Sequence, residues 1–492
     1  MSSEEFRLGA WEASAPPHRS LWLQQALAAE EGAEPRPLEG RGSCDVCVVG
    51  GGYVGLWTAL RLREADPACA VTVVEADICG GGASGRNGGI AFGWWAKFPS
   101  LEAKFGRETA LWLCRETAVA VTEIGTFTRE HAVECDYIPR GWLWAATTEA
   151  QRDAWAGTVR AVEAAGCEDV FTPLEGAELR RYTGSPHSVG GVLEQTGATV
   201  HPGRLARGLR AAAIAAGVEV RECSPVTSFE IGGKVRLRTP TAEIEADRVV
   251  LATNAWISRI PAFRRSCVPI SSDVVATAPA PERLATLGWD GSEAVSNSRM
   301  MVNYYRPTAD GRVVFGRGGG TLAFAGRVGT AFSINPRRCR ETERDLFELI
   351  PDLRGVPVAH SWSGPIDRSA TGMPWFGRLD RAGKVLYGVG FSGNGVAPSL
   401  LAGRTLSALA LGRDDGWATS PLVSQRQNGF PPEPIRFLGG LLIRGAVGRK
   451  ESAEARGARG SAVDRLLASL APAGIYAAEE EKPQLTSTPQ GR

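Results

Sequence analysis

The strongest constraint on this chain's fold is the run Val48-Val49-Gly50-Gly51-Gly52-Tyr53-Val54-Gly55-Leu56-Trp57-Thr58-Ala59. An apolar, β-branched stretch leads into GxGxxG, and a helix-forming pattern follows at once. In that setting each glycine answers a separate steric demand: Gly50 permits a tight turn, Gly52 lets backbone approach a pyrophosphate, and Gly55 lets the helix lie close to the strand. The phosphates then meet a helix N-terminus, where unpaired N–H groups and the helix dipole favour negative charge. A bare GxGxxG arises by chance in a chain with 60 glycines among 492 residues. The next apolar run, Val71–Val74, strengthens the reading because it ends on Glu75 and Ala76. An acidic side chain at that distance accepts hydrogen bonds from a ribose hydroxyl pair.

The rest of the chain fits an α/β layering. Short β-rich runs at 47–49, 71–74, 248–252 and 385–389 alternate with helical patterns at 56–63 and 205–216. Runs at 142–146, 268–277 and 312–317 read as strands of a second sheet, with helical pieces at 149–165 and 338–349. At roughly 150 residues per domain the length allows about three domains, and 43% hydrophobic residues suffice for packed cores. Lys plus Arg number 55 against 54 Asp plus Glu, so no global basic field recruits nucleic acid or an anionic membrane.

The ten cysteines are scattered, which suits a reducing, cytoplasmic setting better than a disulfide scaffold. Cys44 and Cys47 form a CxxC inside a predicted strand, where residues three apart face opposite sides, so no metal site is expected there. Neither a signal-peptide pattern nor a run of about 18 apolar residues occurs, so no membrane span is expected. The basic run Ile435–Lys450 is expected to pack on the protein's own body rather than on a membrane, and residues 474–492 to form a solvated tail.

The first motif alone is compatible with NAD or FAD. The run Cys79-Gly80-Gly81-Gly82-Ala83-Ser84-Gly85-Arg86-Asn87-Gly88-Gly89 is a second backbone-exposing loop close behind the acidic strand end, and FAD, with its additional ring system, has a use for it. At these residues the chain resembles the D-amino-acid oxidase superfamily of FAD-dependent oxidoreductases, especially its glycine, sarcosine and gamma-glutamylputrescine oxidase branch. The resemblance extends through Val200–Leu205, Val226, Val249–Trp256, His360–Asp367, Met373–Gly377 and Gly390–Pro398, over roughly residues 44–412.

The resemblance implies a Rossmann-type FAD-binding domain with a second, mixed β-sheet substrate domain, α+β overall. The expected division is an extension at 1–43, FAD-binding parts at 44–115, 196–265 and 360–415, substrate parts at 116–195 and 266–359, and a C-terminal extension at 416–492. It also implies non-covalent FAD, because Arg368–Pro374 holds no Cys or His. Expected cofactor contacts are Gly50, Gly52, Tyr53, Val54, Gly55, Glu75, Ala76, the loop Ala83, Ser84, Gly85, Arg86, Asn87, Gly88 and Gly89, then Val226, Thr253, Asn254 and Trp256. Gly393, Asn394, Gly395 and Val396 complete the set by leading into a helix whose N-terminus stabilises a reduced flavin.

The implied chemistry is oxidation of an amine or amino acid at a C–N bond, with O2 as acceptor and no dedicated base. Two alternatives stand beside it: a dehydrogenase passing electrons to a quinone or protein, and a flavin-binding subunit without turnover of its own. For the substrate side Arg306, Tyr305, Lys97 and Trp94 are the candidates. Arg306 is weighed as a carboxylate clamp, Lys97 as a charge aiding oxygen reduction, and Trp94 as a pocket wall. His201 and His360 are read chiefly as satisfying local hydrogen bonds. The sequence identifies neither the amine nor the oligomeric state.

Overall fold

A computed structural model describes residues 4–8, 18–30, 34–289, 291, 293–425 and 429–472. The expected solvated tail lies outside the described residues. Two large sheets organise the fold. The nine-stranded sheet is built around Gly40–Val49, which pairs in parallel with Ala242–Leu251 on one side and with Val71–Val74 on the other. Glu219–Arg221 continues it in parallel beyond Val71–Val74, and Val385–Val389 joins Ala242–Leu251. Parallel strands buried on both faces require near-continuous apolar sequence, and Val46–Val49 and Val71–Val74 are buried throughout.

Helix Tyr53–Ala65 packs on this sheet together with Pro398–Leu411. Proline at the first turn of the second helix and a left-handed Gly412 at its end delimit it. A Cβ at Gly403 would stand 2.7 Å from Trp57 Cβ, so glycine sets how closely the two helices pack.

The eight-stranded sheet runs in the order Val358–Arg368, Val268–Thr277, Val313–Arg317, Asn303–Pro307, Val295–Asn297, Trp142–Ala146, Gly190–Glu194 and Phe171–Leu174. Helix Pro336–Leu349, capped by Asn335, covers part of it. The expected helical piece 149–165 is shorter, a 3₁₀ turn at Glu149–Gln151 followed by Ala156–Glu163.

Two expectations need correction. Residues 1–43 are not merely an extension: Glu4–Arg7 adds an antiparallel edge strand to the nine-stranded sheet, and Gly40–Ser43 already belong to its central strand. The amphipathic stretch at 20–27 suits a docking helix, and Leu21–Ala28 is that helix, with Trp22 buried. Cys44 and Cys47 do not face opposite sides, because Asp45 N and Val46 N both donate to the Ala70 carbonyl, at 3.0 and 3.1 Å. That bulge inserts one residue and returns both thiols to the same core. Contact with Cys44 and burial push the Cys47 thiol up.

Beyond Gly412 the chain forms helices Ile435–Ala455 and Ala462–Ser469. Val447 and Ala468 pack on Met301, and Phe437 meets Phe324 edge to face. No helix among the described residues is long and apolar enough to cross a membrane.

Candidate active site

Both sheets and the C-terminal helices contribute to one cavity of about 1060 Å³. Its first wall is the GxGxxG turn. Gly50 has φ +114°, and a Cβ there would lie 2.5 Å from the Ala252 carbonyl oxygen. A Cβ at Gly55 would approach the Gly50 carbonyl oxygen to 1.9 Å, so only glycine allows the helix this close. Gly52, Tyr53 and Val54 line the cavity, whereas Gly55 packs behind it.

Glu75 closes the end of this wall. Its carboxylate accepts from Gly51 N at 2.6 Å and Asp77 N at 2.9 Å. Burial outweighs those bonds and lifts its pKa to about 7. Ala76 and Val226 line the same end.

The second glycine loop folds over the first. Ser84 Oγ accepts from Tyr53 N at 2.8 Å, tying the loop to the helix N-terminus. Asn87 braces the loop internally, donating to the Ser84 carbonyl at 2.8 Å and accepting from Gly89 N at 2.8 Å. Ala83, Ser84, Arg86, Asn87 and Gly88 reach the cavity, while Gly85 and Gly89 do not line it. The Arg86 guanidinium is spent on backbone carbonyls, those of Gly81, Ser333, Ser363 and His18, and burial lowers its pKa to about 10.

The N-terminal helix holds this loop from outside, a role the sequence did not reveal. Ser20 Oγ donates to the Gly85 carbonyl and Trp22 Nε1 to that of Asn87, at 3.0 Å. Trp362 Nε1 donates to the Arg86 carbonyl at 2.8 Å.

Thr253, Asn254 and Trp256 line the cavity where Ala242–Leu251 ends. Thr253 Oγ1 is buried without a protein hydrogen-bond partner, a polar atom aimed at something the protein does not supply. Gly393, Gly395 and Val396 line the opposite rim. Asn394 turns away, its amide donating to the Gly93 carbonyl at 3.1 Å. The preceding turn is fixed by Asp367, which the sequence reading passed over as a single residue. Its carboxylate accepts from Gly390 N at 2.6 Å and Ser392 N at 3.4 Å, and burial raises its pKa to about 6.

The substrate-side candidates fare differently. Arg306 is buried away from the cavity, donating to the Val200, Gly89 and Pro307 carbonyls at 2.6, 3.1 and 3.1 Å. Tyr305 points into the core and donates to the Thr183 carbonyl at 2.8 Å. Alternation along the strand places Tyr304 in the cavity instead, stacked against Gly88 and bonded to Ser272 Oγ at 2.8 Å. Lys97 is buried outside the lining with its ammonium on the Gly372 carbonyl at 2.5 Å, and burial lowers its pKa to about 7. Trp94 is likewise buried outside the lining, and Phe92 lines the wall. His201 caps helix Pro202–Ala215 by accepting from Arg204 N at 3.1 Å, and burial depresses its pKa to about 3. His360 lies outside the lining. The side chains that do face the cavity from the second sheet include Trp144, Ser296, Ser272 and Tyr304.

The sequence profile of the FAD dependent oxidoreductase family, DAO, matches residues 45–409. The chain belongs to this family. FAD is therefore the cofactor, and the cavity suits it: two glycine loops leave backbone open, the Glu75 carboxylate is part of the lining and Thr253 Oγ1 lacks a protein partner. The chain is 33% identical over 399 residues to gamma-glutamylputrescine oxidoreductase of Escherichia coli, covering 77% of this chain and 87% of that protein. It is 23% identical over 400 residues to glycine oxidase of Geobacillus kaustophilus, covering 78% and 97%. The crystal structure of glycine oxidase from Geobacillus kaustophilus superposes with a TM-score of 0.65 at 21% identity, covering 79% of this chain and all of that one.

Proposed function

We propose that this FAD-dependent oxidoreductase oxidises the C–N bond of an amine or amino acid, with FAD held non-covalently and O2 as the terminal acceptor. The observation that carries this reading is the shared cavity, in which a cradle of backbone N–H groups faces a wall of Trp144, Ser296, Ser272 and Tyr304. The names of the relatives, acting on gamma-glutamylputrescine and glycine, support the substrate class. Among the described residues no cysteine or histidine lines the cavity, which favours non-covalent FAD.

When bound, FAD supplies the two-electron acceptor for a hydride from the carbon bearing nitrogen. The protein's part is to orient and to exclude water. Gly52, Gly88 and Gly393 present backbone without side-chain bulk, and the wall positions the amine. Asp367 shapes the Gly390–Ser392 turn beside the helix N-terminus. Burial holds Tyr304 up at about 12, so it remains a neutral hydrogen-bonding group rather than a base. The amine must then arrive already deprotonated, and the imine product hydrolyses in water.

Anaerobic addition of amines to the FAD-loaded protein tests the reading. A matching amine bleaches the flavin at a rate that rises with pH up to the amine's own pKa, and air restores the colour rapidly. A panel of primary, N-methylated and acylated amines that leaves the spectrum unchanged refutes C–N oxidation, and slow recovery in air refutes O2 as acceptor.

A further inference from the structure

Two glycine clusters lie outside the cofactor motifs, at Gly318–Gly320 and Gly439–Gly440, and both border the cavity. A Cβ at Gly320 would stand 2.2 Å from Asp273 Oδ2, and one at Gly440 would stand 2.6 Å from Leu322 Cδ2. Gly440 thus lets helix Ile435–Ala455 lie directly on Leu322, and Gly320 lets the 318–322 segment lie close on Ser271 and Asp273. The consequence is to set Arg444 into the cavity wall, from a helix past the family-matched residues 45–409.

Arg444 is placed as a cation short of a partner. Among the described residues it makes one hydrogen bond, from Nη1 to the Gly320 carbonyl at 2.5 Å, and meets no carboxylate at ion-pair distance. Nearby carboxylates are already engaged. Glu341 pairs with Arg317, Arg338 and Arg337 at 3.0, 2.7 and 3.5 Å. Asp345 pairs with Arg317 at 3.0 Å and lies 3.6 Å from Arg299. Glu451 and Asp273, the other carboxylates beside these arginines, accept from Met301 N and Ser363 Oγ, and none of the four forms an ion pair with Arg444. Burial, then repulsion from Arg338, weakens its hold on its proton, and an added anion relieves both costs. On the same helix, Lys450 pairs with Glu454 at 2.9 Å, and Arg436 with Glu433 at 2.5 Å.

The position along the sheet sets a distance. Tyr304 stacks on Gly88 of the flavin loop and faces Gly316 across the strand pair. Val302, two residues further, accepts from Gly318 N at 2.9 Å, and Gly320 with Arg444 lies beyond it. At roughly 3.3 Å per residue the guanidinium stands about 7 Å or more past Tyr304. An acid group held there is several bonds from a carbon positioned at the flavin loop.

We propose that Arg444 and the Gly318–Gly320 backbone form a subsite for a carboxylate remote from the reacting amine. The substrate class is an amino acid or acylated amine whose acid group lies several bonds from the oxidised carbon. This inference rests on the C–N oxidation reading for the reacting end only, and the subsite itself is tested without turnover.

The test uses FAD-loaded protein and glutarate, a non-oxidisable dicarboxylate, with binding read by calorimetry and by perturbation of the flavin spectrum. Wild type binds glutarate, R444M weakens binding by about tenfold or more, and R444K retains an intermediate affinity, as expected of a charge-assisted, bidentate contact. R449M, on the outward side of the same helix and paired with Asp464, leaves binding unchanged and controls for helix integrity. No glutarate binding to wild type, or equal binding to wild type and R444M, overturns the subsite. In a second arm, 5-aminovalerate is compared with 5-aminovaleramide as bleaching substrates. A preference for the acid that R444M abolishes supports the subsite, and an undiminished preference in R444M refutes it. If no amine of any kind bleaches the flavin, the oxidation reading fails while the glutarate result still decides the subsite.

Discussion

We propose that Glu75 holds a ribose of FAD, which makes the affinity for FAD depend on pH. Its carboxyl is buried, and burial raises its pKa from the ordinary 4.5 to about 7 despite hydrogen bonds from Gly51 N and Asp77 N. Ribose hydroxyls arriving as further donors favour the ionised form, so binding lowers the pKa and releases a proton. Affinity of the apoprotein for FAD therefore rises with pH and levels off above about 7. Below that value each unit costs up to about 1.4 kcal/mol, or tenfold in Kd, because only the minority of ionised molecules binds at full strength. The sign for folding is opposite: a carboxyl raised above its unfolded value stabilises the fold at low pH and loses that contribution as pH climbs through about 7. Apoprotein titrated with FAD at pH 6, 7 and 8, followed by quenching of flavin fluorescence, should show about tenfold weaker binding at pH 6 than at pH 8. E75Q should bind weakly at all three values, since the amide leaves one backbone donor facing an N–H group. Flat wild-type affinity across this range, or an undiminished slope in E75Q, refutes the argument.

Two further outcomes follow from buried polar groups. Glu194 is fully buried with Oε2 unpartnered and its pKa raised by burial to about 7, so ionising it at pH 8 costs the fold on the order of 3 kcal/mol. E194Q should raise the Tm at pH 8 and leave it nearly unchanged at pH 5, and thermal melts that move equally at both values contradict this. R306M should lower stability by about 3 kcal/mol or more by orphaning the Val200, Gly89 and Pro307 carbonyls. Because Arg306 lies outside the cavity, KM measured with saturating FAD should not change, and a large rise in KM would restore it as a substrate clamp.

The glycine turn and its acidic strand end were legible because their determinants are local. A turn, a helix start and an acidic strand end lie within 28 residues, from Val48 to Glu75, and the steric need for glycine at Gly50 and Gly55 holds whatever surrounds them. The substrate side was not, because strand neighbours alternate faces. Tyr304, Tyr305 and Arg306 are adjacent in sequence, yet their register against Val313–Arg317 sends Tyr304 to the cavity and Tyr305 to the core. The misplacement of Cys44 and Cys47 has a related cause, since a single doubled hydrogen bond to Ala70 broke the alternation that the sequence reading assumed.

By itself, then, the sequence determined the α/β layering, the dinucleotide turn and the family, all of which are set by glycines and apolar periods within short windows. Tertiary structure alone decided what covers the cavity. Helix Leu21–Ala28 is tied to the second glycine loop through Ser20 and Trp22 across more than sixty residues, and Arg444 reaches Gly320 across 124. Nothing in a local pattern specifies such partners. They are chosen by which surfaces must be buried together once the two sheets have formed.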